Sequence, residues 1–291
     1  MSVLIVQSKL DMYNCKTAQD EENAIREIAQ EICLSGLSRA GFFKKAAFQG
    51  GTCLRIFYGV GRFSEDLDFC LNKPEKNFSL KHYLDSLCAE LKLYGFEFTL
   101  AGGHKAGDVV QKGMLKDRAI ANVLSFKHFR PGRDTKSIKI KIELDTNPPE
   151  GGSVEVKYHD FPFAFETAVH DSASLFAGKC HALLCREYVK GRDWYDFLWY
   201  VSRKIRVNFK LLSAALNQTG PWQGQGIKAD AKWCGQSLRE KIGGINWEDA
   251  KKDVRRFLKP EELATLDLWG KEFFTDRAEK MESYLSDIAQ E

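Results

Sequence analysis

Residues 49 to 69 read QGGTCLRIFYGVGRFSEDLDF, and the run DLDFCL at 66 to 71 alternates polar and apolar side chains as a strand does. Side chains at i and i+2 of a strand share a face, so Asp66 and Asp68 point one way while Leu67 and Phe69 point into a core. Ser64 continues the polar face. Two carboxylates held side by side repel each other, and a divalent cation is the usual means of stabilising the pair at neutral pH. Working outward, AAF at 46 to 48 is a short apolar run stopped by Gly50 and Gly51, which fits a buried strand entering a tight turn. Residues 52 to 58 have helical character behind Thr52 as the expected N-cap. A strand, two glycines and a helix start bring backbone N–H groups toward a phosphate, and glycine permits the close approach. No lysine follows in the P-loop spacing.

A second strand is expected at 138 to 145, IKIKIELD, where Ile138, Ile140, Ile142 and Leu144 take one face and Lys139, Lys141, Glu143 and Asp145 the other. Glu143 or Asp145 supplies a third carboxylate; because the two share a face, the period does not choose between them. Three acids from neighbouring strands can hold two Mg²⁺ about 4 Å apart, the arrangement for in-line phosphoryl or nucleotidyl transfer. An exposed face of mixed charge accounts for the same pattern. In the helix expected from about 171 to 189, Leu175, Lys179 and Leu183 are spaced by four, so Lys179 interrupts an apolar stripe and points toward the protein body. Such a lysine either offsets triphosphate charge or snorkels at the margin of the stripe. In GRDWYDFLWY, Asp193 and Asp196 share a helical face and are candidates to orient Lys179 or a substrate group, or to cap and brace the helix. His82, His104, His128, His159, His170 and His181 show no metal or nucleophile spacing.

The remaining segments divide the chain. Helices are expected at 17 to 38 and 79 to 94, and further strands at 96 to 100 and 122 to 126. From Asp171 onward the pattern is helical almost without interruption. The expected architecture is α/β (α+β): a catalytic domain with a mixed sheet at 1–165 and a helical domain at 166–291. The length, 291 residues, accommodates both, and 44% hydrophobic with 29% charged residues is an ordinary globular balance. The formal net charge is only +3. Residues 105 to 141 nevertheless carry 10 Lys or Arg against 3 acids, and residues 201 to 260 carry 13 against 5, while 261 to 291 reverse the sign. Two basic zones of this kind suit a polyanion if the fold unites them, and solvated faces if it does not. The 8 cysteines are dispersed without CxxC or zinc spacing, as in reduced thiols. No stretch approaches the roughly 20 apolar residues of a membrane span. A cytoplasmic protein is expected.

Taken together, 49 to 69, IKIELDT at 140 to 146 and GKCHALLCREYVKGRDWYDF at 178 to 197 closely resemble the AbiEii/AbiGii nucleotidyltransferase toxins of toxin–antitoxin and abortive-infection systems. The resemblance spans about residues 20 to 205 in the right order, with Cys53 where small or apolar residues are commoner. It implies a nucleotidyltransferase fold related to the polymerase-β superfamily, Mg²⁺ or Mn²⁺, and a nucleoside triphosphate. It further implies RNA as acceptor, with the tRNA 3′ end as the type case, and an antitoxin of the winged-helix regulator kind. By position, Gly50, Gly51, Thr52, Arg55, Arg62, Ser64 and Lys179 fall to the nucleotide. Asp66 and Asp68 fall to the catalytic metal strand, with Glu143 or Asp145 as the third acid. Lys179 matches the family lysine, and Asp193 or Asp196 its later aspartate. Two alternatives stand beside this reading: the same site acting on a protein hydroxyl or small molecule, and a non-catalytic nucleotide-binding regulator.

Overall fold

The computed structural model describes residues 2–101, 109–117, 124–128 and 138–288. The chain forms two compact units. The first comprises residues 1–59, 63–148 and 155–169; the second comprises 60–62, 149–154 and 170–291. The helical unit thus draws on two short segments, 60–62 and 149–154, that precede residue 165 in the chain.

The first unit is built on a mixed sheet. In chain order its elements are α1 (Ser2–Met12), α2 (Ala18–Arg39), β1 (Ala46–Gln49), α3 (Gly50–Tyr58), β2 (Asp66–Leu71), α4 (Lys81–Leu93), β3 (Thr99–Ala101), β4 (Val110–Asp117), β5 (Ile138–Asp145), β6 (Val154–His159) and β7 (Phe165–His170). The seven strands lie in the order β3-β4-β5-β2-β1-β7-β6. Strand β2 is central, parallel to β5 and antiparallel to β1, so both its edges are hydrogen-bonded and its side chains are fixed in position. On one face Leu67, Phe69, Ile140, Ile142 and Leu144 are buried. Helix α4 reaches this face at Gly113, the β4 residue beside Ile142, where a β-carbon would stand 3.0 Å from Leu84 Cδ1.

Several elements depart from the sequence expectations, each for a local reason. Helix α3 starts at Gly50 with Gln49 as N-cap, two residues before the position expected from Thr52. The Thr52 hydroxyl instead donates to the Asp66 carbonyl, so it ties the helix to the head of β2. Ser64 precedes β2 and is buried, with its carbonyl accepting from Gln30 Nε2 at 3.3 Å. The strand expected at 122 to 126 is absent from 124–126, and residues 122 and 123 lie outside the described residues. There the backbone is served by side chains: Ser125 N–H donates to Gln7 Oε1 at 2.8 Å, and its carbonyl accepts from Gln7 Nε2 at 3.1 Å. Helix α1 and strands β4, β6 and β7 were not expected.

Helix α2 follows the expectation in place, with a Thr17/Asp20 capping box, but it is buried almost all round, charged residues included. Its acids are kept inside by partners. Glu27 accepts from Tyr13 Oη at 2.8 Å and pairs with Arg55 Nε at 2.7 Å, while Glu31 pairs with Lys9 at 3.3 Å.

The second unit is helical: α5 (Ser172–Cys185), α6 (Gly191–Ser202), α7 (Phe209–Gln218), α8 (Ala231–Gly243), α9 (Trp247–Arg255), a 3-10 segment (Pro260–Leu268) and α10 (Lys271–Ile288). Asp171, Asn208, Asp230 and Asn246 cap four of these helices with side-chain oxygens. Helix α5 ends at Cys185, before the expected 189, with Arg186 extended at its C-cap. The core is aromatic: Trp247 stacks on Phe274 at 4.3 Å between centroids, and Phe176 on Tyr200 at 4.4 Å.

Candidate active site

The register of the central strands assembles a charged face opposite the apolar one. Asp66 of β2 lies beside Lys141 of β5, Asp68 beside Glu143, and Cys70 beside Asp145. Across β5, Lys112 of β4 lies beside Glu143. Paired residues in a sheet present their side chains to the same side, so Asp66, Asp68, Glu143, Asp145, Lys141 and Lys112 share one surface. The alternation in DLDF and IKIKIELD therefore brings together both carboxylates of β2 and both candidates for the third acid.

Local geometry fixes Asp68 in particular. Gly50 has φ +77°, and a β-carbon there would stand 2.4 Å from Asp68 Oδ2. Only glycine fits this junction, on grounds of both backbone conformation and space. The first residues of α3 therefore come directly against the Asp68 carboxylate.

The two third-acid candidates differ in surroundings. Burial works to raise the Glu143 pKa, but Lys141 Nζ at 2.8 Å and Lys112 Nζ at 3.2 Å outweigh it, and the carboxyl lies below its ordinary value. Burial raises the Asp145 pKa, against the lowering effect of the Asn147 N–H that its Oδ1 accepts at 2.9 Å. Burial likewise works to lower the Lys141 pKa, and Glu143, with Asp66 and Asp68, more than reverses it. Lys141 and Lys112 were not among the expected site residues. The β5 alternation already put Lys141 on the acidic face, but nothing in one strand's period shows which neighbour it pairs with.

A divalent cation fits this donor set. Mg²⁺ takes hard oxygen ligands, commonly one or two carboxylates with substrate phosphates and water completing the shell. Asp66 and Asp68 provide two such carboxylates on one rigid strand. Among the described residues no three His, Cys, Asp or Glu side chains converge as a complete metal cluster. Glu143, the acidic register partner of Asp68, is held by lysines.

The remaining expected site residues fall elsewhere. Arg55 is committed to Glu27 and lies over the Phe63 ring at 4.7 Å. In the second unit, Lys179 on α5 meets Asp193 Oδ1 at 2.6 Å and Asp196 Oδ2 at 2.8 Å on α6. Arg62 grips the same Asp196 through two bonds, Nε–Oδ1 at 2.7 Å and Nη2–Oδ2 at 2.6 Å. Its side chain is 2% exposed and that of Asp196 0%, so the position expected to contact nucleotide is a buried structural clamp. Arg186 adds a pair to Asp193. Burial opposes the charges of Lys179 and Asp193, yet Asp193 and Asp196 keep the Lys179 pKa raised, and Lys179, Arg186 and Lys190 hold Asp193 down to about 2. Lys179 is therefore a fixed cation. Arg186 was missed because the expected helix ran through it.

This fold is that of nucleotidyltransferases. Two solved Helicobacter pylori structures share it: one described as a putative nucleotidyltransferase, at TM-score 0.50 and 14% identity over 90% of this chain and 96% of that one, and JHP933, at TM-score 0.51 and 14% identity over 93% and 96%. No curated protein matches the chain. The family model described as nucleotidyl transferase AbiEii toxin, type IV toxin–antitoxin system, matches residues 32–275. The chain belongs to that family and is a nucleotidyltransferase. Membership implies a nucleoside triphosphate substrate, usually a divalent metal, and an antitoxin partner. No helix among the described residues is long and apolar enough to cross a membrane.

Proposed function

We propose that the chain transfers a nucleoside monophosphate from a nucleoside triphosphate to the 3′ end of an RNA, tRNA in the first instance, with Mg²⁺ as the working cation. The observation that carries the reading is the carboxylate face: Asp66 and Asp68 side by side on a central strand, closed on one side by the Gly50 junction and flanked in register by Glu143.

When bound by Asp66 and Asp68, the cation neutralises triphosphate charge and favours in-line displacement. The chain's own groups do the rest. Backbone N–H groups at Gly50, Gly51 and Thr52, at the start of α3, suit the phosphates. Ser64, just ahead of β2, belongs to the same approach. The RNA 3′-hydroxyl oxygen bonds to the α-phosphorus, the bond from that phosphorus to pyrophosphate breaks, and the hydroxyl proton passes to Asp145 or Glu143. Of the two, Asp145 is the better acceptor, because burial raises its proton affinity while Lys141 and Lys112 lower that of Glu143. Lys179 of the second unit, held charged by Asp193 and Asp196, is carried as a nucleotide-contacting cation on the family resemblance. Arg55 and Arg62 are assigned to the frame, since each is bound to a carboxylate of the protein.

The antitoxin is proposed to be a winged-helix regulator, and the compartment the cytoplasm, where tRNA and triphosphates occur. Mass spectrometry of RNA 3′ ends after expression in a bacterial host tests the reading and identifies nucleotide and acceptor together. Added 3′ nucleotides with the wild type and none with Asp66→Asn are expected. Unmodified RNA ends alongside a nucleotidylated protein or small molecule would reject RNA as acceptor.

A further inference from the structure

The acidic face carries its own cation. Lys141 lies in register beside Asp66, and its ammonium is 2.8 Å from Glu143 Oε1, the carboxylate in register beside Asp68. A side chain rooted next to one acid and bonded to another lies on the face that carries Asp66, Asp68 and Glu143. Lys112 approaches Glu143 from the opposite strand at 3.2 Å, but its register neighbour is Glu143 rather than either aspartate.

We propose that Lys141 is the built-in counter-ion of the Asp66–Asp68–Glu143 face, compensating the carboxylates until a divalent cation displaces its ammonium. This rests on the metal reading above and adds to it a competition inside the protein. Carboxylates that share one strand face without a cation repel one another, so an ammonium on that face stabilises the metal-free fold. The same charge repels an incoming Mg²⁺ or Mn²⁺, and the ammonium must leave Glu143 before that carboxylate can turn to a metal. Lys141 therefore weakens metal binding in the absence of nucleotide. The triphosphate's own negative charge then helps to draw the metal in, which ties metal occupancy to nucleotide.

The test uses the full chain stripped with chelator, without nucleotide, titrated with Mn²⁺ while free ion is followed by electron paramagnetic resonance. Lys141→Gln is expected to tighten apparent Mn²⁺ affinity by about tenfold at low salt, with a smaller gain at about 0.5 M salt, where screening is strong. Lys141→Arg, which keeps the charge, is expected to bind Mn²⁺ as weakly as the wild type. A second readout is thermal melting: in chelator Lys141→Gln melts below the wild type, and Mn²⁺ restores it. Equal Mn²⁺ affinity in wild type and Lys141→Gln, with Asp68→Asn abolishing binding, overturns the counter-ion role and leaves the metal reading standing. Binding that Asp68→Asn does not alter, or no binding in any form, overturns both. Melting of Lys141→Gln in chelator at the wild-type temperature also overturns the counter-ion role.

Discussion

Gly50→Ala puts a methyl group where Asp68 Oδ2 already stands, at a backbone angle that L residues rarely adopt. The variant is expected to lose about 1–3 kcal/mol of stability in urea melts, and at least about tenfold in nucleotide transfer, since small displacements of catalytic groups are costly. Wild-type transfer by this variant would show that Asp68 need not be held by the α3 junction. At Asp193 the pH dependence follows from charge. Its folded pKa, about 2, lies below the ordinary 3.8, so its pairing stabilises the fold above pH 4 and is lost as pH falls from about 4 to about 2. The acid-side decline in melting temperature should flatten over that range in Asp193→Asn, at the cost of lower stability at neutral pH. An unchanged acid slope would contradict the assignment. At this scale the sequence was most legible where a two-residue period applied: Asp66, Asp68, Glu143 and Asp145 fall on one face as read from single strands. Arg62 was legible only as a basic residue near a motif, because its partner Asp196 is 134 positions away.

Elements are joined by a few buried polar ties, and their breakage should be measurable. Arg62→Met leaves the fully buried Asp196 with Lys179 but without its two-bond partner. A loss of about 3–5 kcal/mol in the denaturation of the second unit is expected, the usual effect of orphaning one member of a buried ion pair. Arg62→Lys should recover only part of it, since an ammonium cannot reproduce the guanidinium fork. Full stability in Arg62→Met would contradict the clamp. Thr52→Val removes the donor to the Asp66 carbonyl and should cost about 1 kcal/mol, with activity falling as the head of β2 loosens. The strands at 46 to 48, 66 to 71 and 138 to 145 were readable because short, strongly patterned runs meet clear stops. Strands β6 and β7 were not read, although VEVKYH on β6 alternates apolar and polar side chains; the pattern is inverted there, since the apolar set Val154, Val156 and Tyr158 is the exposed one. The start of α3 was misplaced because Thr52, a good N-cap by type, uses its hydroxyl on a neighbouring strand.

At the scale of the molecule, the second unit is discontinuous, drawing residues 60–62 and 149–154 from ahead of its main segment, 170–291. Asn208 donates to the Gly151 carbonyl at 2.8 Å, and Ser153 N–H to Ser174 Oγ at 3.0 Å. A fragment of residues 170–291 therefore lacks Arg62 and these backbone partners, and it is expected to melt without a sharp transition. The residue order of the family was readable along the chain, but this sharing of segments was not, because composition does not change at 60 or at 149. The basic stretch at 201 to 260 bears on the acceptor. Reversing Lys251, Lys252, Arg255 and Arg256 should weaken RNA transfer and lower its salt sensitivity, whereas a protein or small-molecule acceptor would leave both unchanged.

The most direct measurement is transfer of label from α-³²P nucleoside triphosphates to total tRNA by the purified chain, comparing wild type with Asp66→Asn and Asp68→Asn in the presence and absence of Mg²⁺. Labelled tRNA from the wild type with Mg²⁺, and background labelling from either variant, is the predicted result. Equal labelling by wild type and both variants would contradict the claim that the carboxylate face performs the transfer.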